Sequence, residues 1–245
     1  ANEIHDVVLL GGETLSCTLG DAATMFALPI AAFGDPDRPG YVIDRAEMAH
    51  PGALIANAVG GDVSSSAQRR LQDFRYVSVR SPTSKRQLPH SELVPDTVLL
   101  LKSLFEPELQ AAAARLFDGP SAKLPVRKKE YIAVQIKSSM LAGSQDVIEA
   151  LARSVDQLAR WTGRSLVFYR AGAAPSHDKL EDYEKVKGWL DQMQSPVHSH
   201  IFDGLDIWEI AALVGHSRLS VASSLHARII ATQCVRAPHD SDVDT

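Results

Sequence analysis

The chain is poor in the features that mark several large protein classes. Cysteine occurs only as Cys17 and Cys234, far apart and without a metal-ligand spacing. A disulfide framework is not expected, and a reducing compartment fits this usage. No apolar run approaches the roughly 20 residues that span a bilayer. The opening Ala-Asn-Glu-Ile-His-Asp lacks the basic and apolar regions of a signal peptide. We therefore expect a cytoplasmic protein with no transmembrane segment; peripheral attachment to a membrane through a partner is compatible with that reading. A basic excess is also missing. The net charge of −5 and the pI near 6.0 argue against a general nucleic-acid partner, while leaving room for a local basic pocket that takes a small anion.

Three catalytic signatures are absent as well. There is no Gly-rich loop ending in Gly-Lys-Ser, no Gly-x-Ser-x-Gly elbow and no Gly-x-Gly-x-x-Gly fingerprint. An ordinary P-loop nucleotidase, an α/β-hydrolase triad and a typical dinucleotide site are thereby unsupported.

What remains is a chain of 245 residues, 45% hydrophobic and 22% charged, which allows a substantial core. Short apolar runs that stop at glycine or charge recur along it. Asp6-Val-Val-Leu-Leu-Gly-Gly12, Leu54-Ile-Ala-Asn-Ala-Val-Gly-Gly61 and Tyr76-Val-Ser-Val-Arg80 read as buried parallel strands. A short helix is expected from Ser84 to Leu88, and a short apolar element from Val94 to Leu101. A second series follows, with strands at Tyr131 to Lys137, Ser165 to Arg170, Val197 to Phe202 and Leu219 to Ala222. Helical spacing predicts helices from Ser144 to Trp161, Lys179 to Met193, Asp206 to Val214 and Leu225 to Gln233, with Ser144 and Asp206 as caps and Gly163 as a stop. Strands alternating with helices give βαβ units. The expected fold class is α/β: two Rossmann-like parallel-sheet domains facing a cleft. The first covers 1–110, a linker 111–130, and the second 131–245. Pro125 to Glu130, with Arg127, Lys128 and Lys129, reads as part of a solvated linker.

Ligands of open α/β sheets bind beyond the carboxyl ends of the strands. There the sequence collects Gly11, Gly12, Gly60, Gly61, Arg80, Lys137, Arg170 and His226. Glycines let backbone approach a ligand, cations suit a carboxylate or phosphate, and a histidine moves protons near neutral pH. Each has a plainer reading. The Gly-Gly pairs can be turns, Arg80 can pair with a neighbouring acid, Lys137 can be a solvated charge and His226 can cap a helix. His198 and His200 fall on one face of a strand, but no third metal ligand stands at a useful spacing. His177-Asp178 falls in a loop at the cleft edge, where Asp178 would cap the next helix, and Asp96 after Pro95 would fix a turn.

In order along the chain, Val77-Ser-Val-Arg-Ser-Pro-Thr-Ser84, Val94-Pro-Asp-Thr-Val-Leu-Leu100 and Leu219-Ser-Val-Ala-Ser-Ser-Leu-His-Ala-Arg-Ile-Ile-Ala231 resemble the polysaccharide pyruvyl transferase family, with Asp6 to Gly12 similar to that family's Gly-Gly strand. The resemblance covers most of residues 6–235. It implies a fold similar to the GT-B glycosyltransferases, and transfer of a pyruvyl group from phosphoenolpyruvate to two hydroxyls of a saccharide or lipid-linked saccharide. A pyruvate ketal forms and phosphate leaves, with no cofactor and no metal required. Carried over by position, His226 would be the acid/base, Arg80 would clamp the donor's anionic groups, and Lys137 would add a cation. Gly11, Gly12, Ser224, Leu225 and Arg228 would complete the substrate-binding set. The chain departs from the family pattern in places. Ser224 stands where members carry arginine before Leu-His, and Arg228 lies four residues on, on the same helix face. Ser81 replaces an acid after Arg80. Relative to the family pattern the chain reads as shortened at both ends. Two other readings share these motifs: a non-catalytic or re-purposed homologue that binds a glycan or anion, and a GT-B-type glycosyltransferase.

Overall fold

The computed structural model describes residues 6–32, 34–48, 52–141, 144–172, 174 and 177–234. The first five residues, read above from sequence, lie outside the described residues. The chain divides into two compact units, residues 1–97 and 98–245. Each is built on a four-stranded, all-parallel sheet. No helix among the described residues is long and apolar enough to cross a membrane.

Unit 1 runs β1 (Val7–Leu10), α1 (Leu19–Met25), β2 (Leu54–Val59), α2 (Ser65–Leu71), β3 (Tyr76–Val79), α3 (Pro82–Gln87) and β4 (Glu92–Leu93). Its strands lie side by side in sequence order. Leu15, Val42, Ala56, Val59, Ala67, Leu71, Val79 and Leu88 form the buried core. The sequence reading found β1, β2, β3 and a short helix near α3, and missed α1 and α2. Both missed helices are 7 residues long, too short to show more than one or two apolar repeats. Thr18 and Ser64 cap them, accepting from the N–H groups of Asp21 and Ala67. The apolar element expected at Val94 to Leu101 is a 3₁₀ turn, Thr97–Leu100, running into the first helix of the next unit.

β2 carries an irregularity that matters for the site. Its register with β3 shifts between Ala56 and Val59, and the buried Ala58 sits at φ 54°, a left-handed conformation uncommon for alanine. Ser78 of β3 holds it there: its Oγ accepts from Ala58 N at 2.9 Å and donates to Asn57 Oδ1 at 2.8 Å.

Unit 2 runs α4 (Leu101–Leu104), α5 (Glu106–Phe117), β5 (Tyr131–Gln135), α6 (Ser138–Leu141), α7 (Gln145–Thr162), β6 (Ser165–Tyr169), α8 (Leu180–Gln192), β7 (Ser199–Phe202), α9 (Ile207–Gly215), β8 (Leu219–Ala222) and α10 (Leu225–Cys234). Strand order is β7-β6-β5-β8. The sheet is covered on both faces, as uninterrupted apolar strands require. Ile132, Val134, Leu166 and Phe168 pack under α7 and α8, while Tyr131, Ala133, Val167 and Tyr169 pack against α5, α9 and α10. Burial of each such large side chain contributes on the order of 1.5–3 kcal/mol.

Within the stretch 111–130, expected as a linker, residues 111–117 belong to α5, and Ala112, Ala113, Leu116 and Leu124 are buried in the same cluster as Leu213 and Val214 of α9. Small alanines form much of the contact face, so the helix signal is weak in sequence. Nor are its cations simply solvated. Lys129 Nζ donates to Gly215 O at 2.9 Å and Ser217 O at 3.2 Å. Lys123 Nζ and Arg115 Nε reach the buried Glu209 Oε1 at 2.8 and 2.9 Å. Burial pushes the Glu209 carboxyl up, but the hydrogen bonds and charges of Lys123 and Arg115 outweigh it and hold the group below its ordinary value. A carboxyl with a lowered folded value adds stability above its unfolded value of 4.5, and that stability is lost as pH falls through the folded value. Glu209→Gln should lower stability at pH 7 and flatten the loss of stability below pH 4.5. Urea denaturation at stepped pH checks both, and an unchanged acid limb would contradict the assignment.

Candidate functional site

The carboxyl ends of β1, β2 and β3 gather one set of the predicted residues. Gly11 and Gly12 both adopt left-handed conformations, at φ 58° and 74°, and Gly60 N donates to Gly12 O at 2.8 Å. Gly60 is required by proximity: a Cβ there would lie 2.6 Å from Arg80 Nε. Arg80 therefore lies across the glycine loop. Its Nη1 donates to Asp96 Oδ2 at 2.6 Å, with both side chains only 7% exposed. Asp96 is thus an ion-pair partner rather than a turn residue alone. Ser81 caps α3 by accepting from Ser84 N at 3.1 Å. Ser84 Oγ in turn donates to Gly61 O at 2.8 Å, tying the second Gly-Gly loop to α3.

Unit 2 gathers the other set. In its sheet the chain moves outward from β5 to β6 and β7, then returns to place β8 on the other side of β5. Such a reversal opens a crevice at the carboxyl ends of the two strands where order switches. Lys137, Ser224, Leu225, His226 and Arg228 all follow β5 or β8 at that edge. His226 is half-buried; Lys137, Leu225 and Arg228 are exposed. Ser224 caps α10, its Oγ accepting from Ala227 N at 3.4 Å. Arg170 is directed elsewhere and donates to Asp203 O at 2.8 Å.

A buried polar network that the sequence reading missed holds this edge together. Gln135, the last residue of β5, is fully buried. Its Oε1 accepts from Ser224 N at 2.9 Å and Ser223 Oγ at 3.2 Å. Its Nε2 donates to both carboxylate oxygens of Asp178 at 3.0 Å. Ser223 Oγ also accepts from Lys137 N at 2.8 Å. Asp178, expected as a helix cap, turns inward instead. The cap position of α8 is Lys179, with no side-chain cap bond, and Asp178 accepts from Ala171 N at 2.7 Å. His177 Nδ1 lies 2.9 Å from Asp178 Oδ1. Beneath the carboxylate, burial pushes the Tyr169 and Tyr183 phenols far up, and the Asp178 charge adds to it. Tyr183 therefore stays a neutral hydroxyl, accepting from Ile136 N at 3.2 Å. The one sequence signal for Gln135 was a lone amide ending an apolar strand.

Other features are set apart from this chemistry. His200 is shifted down by burial, then by His198 and Lys187. Among the described residues no group of three or more His, Cys, Asp or Glu side chains could hold a metal ion. A groove of about 530 Å³ lined by Phe74, Tyr76, Leu88 and Glu92 opens in unit 1. It sits at the amino ends of β3 and β4, the opposite edge of the sheet from Arg80, whereas ligands of such sheets sit at the carboxyl ends.

The two parallel sheets thus place cations, glycines and a histidine at strand ends, where ligands of such sheets bind. The chain belongs to the polysaccharide pyruvyl transferase family, whose sequence model matches residues 4–234. It is therefore a member of a transferase family that moves pyruvyl groups to polysaccharide. No curated protein and no solved structure matches the chain.

Gln135→Leu should test the network directly. It strips Asp178 of a donor and Ser224 N of its acceptor, at roughly 1–3 kcal/mol per orphaned buried group. Chemical denaturation should show a loss of at least about 2 kcal/mol; a change within experimental error would mean that the amide does not bridge the two segments.

Proposed function

We propose that the protein transfers the pyruvyl group of phosphoenolpyruvate to two hydroxyls of a saccharide or lipid-linked saccharide, forming a pyruvate ketal and releasing phosphate. The observation that carries this reading is the junction of β8 and α10, where the family's Leu-His pair, Leu225-His226, follows a strand at the reversal point of the unit 2 sheet. The donor carries a carboxylate and a phosphate, so it needs cations and N–H donors. Lys137 and Arg228 supply the cations in unit 2, and the first turn of α10 supplies N–H groups that a helix cannot satisfy internally. In unit 1, Arg80 is assigned to anionic groups. Asp96 fixes its guanidinium, and Gly11 and Gly12 allow close backbone approach.

The chemistry needs a proton at C3 of the donor before C2 becomes electrophilic enough for hydroxyl attack. His226 is the residue we assign to that proton transfer, since imidazole changes charge near neutral pH. The half-buried position limits competition from bulk water while leaving the ring reachable. No step requires a cofactor or a metal, and a cytoplasmic location fits the donor.

A glycan- or anion-binding homologue without turnover is the second reading. Two observations favour it: Ser224 replaces an arginine with a helix cap, and Asp96 offsets the charge of Arg80. Phosphate release from phosphoenolpyruvate with a panel of saccharide acceptors separates the two. The transferase reading predicts acceptor-dependent release that His226→Ala lowers by about 100-fold or more, the range of a general acid/base, without loss of fold by circular dichroism. Donor binding without release across the panel would instead support the binding homologue.

A further inference from the structure

The groove at the amino ends of β3 and β4 has no place in the chemistry proposed above, yet the fold builds it firmly. β4 pairs only with Ser78 and Val79 of β3, so Tyr76 and Val77 run on past its end and border the groove. The turn that joins α3 to β4 supplies one wall. There Ser91 N and Oγ both donate to Leu88 O, at 3.0 and 2.7 Å. Lys85 Nζ donates to Pro89 O at 2.7 Å and also to Ser91 O. α2 supplies another wall, on which Gln68 and Gln72 stand about one turn apart. The volume of about 530 Å³ lies within the roughly 300–1,000 Å³ of small-molecule pockets.

The lining selects a class of ligand. Its apolar part is the buried Leu71 and Leu88 with the half-buried rings of Phe74 and Tyr76. Its polar part is planar and exposed: the amides of Gln68 and Gln72, the guanidinium of Arg75 and the carboxylate of Glu92. Tyr76 Oη donates to Glu92 Oε2 at 2.9 Å, which fixes that carboxylate at the groove. Arg75 and Glu92 balance in charge, so with histidine counted neutral the groove lacks the cation excess that phosphate groups call for. Each amide presents a donor beside an acceptor, a pairing that adjacent hydroxyls match. Apolar surface ringed by such groups suits a neutral ring with a C–H face and a rim of hydroxyls.

We propose that this groove is a second saccharide site, one that holds sugars of a polysaccharide acceptor without taking part in transfer. It rests on the saccharide acceptor of the reading above and on no part of the donor site. A polymeric acceptor carries rings beyond the one that receives pyruvate, and the family acts on polysaccharide. The groove lies at the opposite edge of the unit 1 sheet from Arg80. Sugars held there leave the carboxyl edge, where ligands of such sheets react, to the donor.

Amide NMR of the whole chain, titrated without donor with cellotetraose, maltotetraose and chitotetraose, tests this. The side-chain amides of Gln68 and Gln72 and the backbone amides of Phe74 to Val77 should shift with at least one of them, and the titration gives a Kd. Gln72→Ala alters an exposed side chain and should raise that Kd about two- to tenfold, the worth of one net hydrogen bond. Tyr76→Phe keeps the ring but releases Glu92, and should raise it by a similar factor. Unchanged shifts elsewhere in each variant's spectrum show that the fold is kept. No shift at the groove with any of the three sugars would overturn the site, as would shifts confined to unit 2 or a Kd that neither variant changes. Shifts at the groove with a proline-rich peptide and with no saccharide would overturn it in favour of a protein partner. Phosphate release with a saccharide acceptor but no shift at the groove would leave the transferase reading standing without this site. Saccharide binding at the groove with no release from any acceptor would keep the site and remove the transferase reading.

Discussion

Gln135 is the constraint on which the unit 2 site depends. Its amide spans two segments that the chain delivers separately: the loop after β6, through Asp178, and the turn after β8, through Ser223 and Ser224. The reason is topological as much as chemical. β5 lies between β6 and β8, so a side chain at its carboxyl end can touch both neighbours' loops at once. An amide suits the position because it donates at one end and accepts at the other. An apolar residue would leave a buried carboxylate and a buried N–H unsatisfied, and an acid would place a second negative charge against Asp178.

Unit 1 solves a related problem with charge. Arg80 emerges at the end of β3 beneath the glycine loops and is matched by Asp96, which follows β4. Burying such a pair is costly unless geometry is good. Here Gly60 opens the space that the guanidinium occupies, and the bulge at Ala58, stapled by Ser78, directs β2 into that glycine. Arg80 is thus held in one orientation by a partner whose charge cancels its own. Ser81 and Ser224 follow a common logic: each caps the helix that starts at a strand end.

Much of this was legible in the sequence. The buried strands showed as apolar runs punctuated by Gly-Gly or charge, because strands covered on both faces tolerate little else. Gly163 at φ 64° and Asp206, accepting from Trp208 N and Glu209 N, ended and began helices where these residue types predict. The strand-end placement of Arg80, Lys137 and His226 followed from the same grammar. What stayed hidden was long-range. Residues 111–130 read as a linker because alanines carry the contact face of α5, and because the charges of Arg115 and Lys123 look solvated until Glu209 is seen beneath them. Asp178 read as a cap because capping is what an acid before a helix usually does; its inward turn depends on Gln135, 43 residues earlier. The pairing of Arg80 with an acid was foreseen as a possibility, but not the identity of its partner.

The central claim is that the carboxyl edge of β5 and β8 is where the donor sits in unit 2. A crystal structure of the protein soaked with phosphoenolpyruvate tests it most directly. The account predicts density for the donor at the start of α10, within hydrogen-bond distance of His226 or Lys137, with the Gln135–Asp178 contact intact beneath it. Density confined to the groove at the amino ends of β3 and β4, or none at saturating donor, would contradict it.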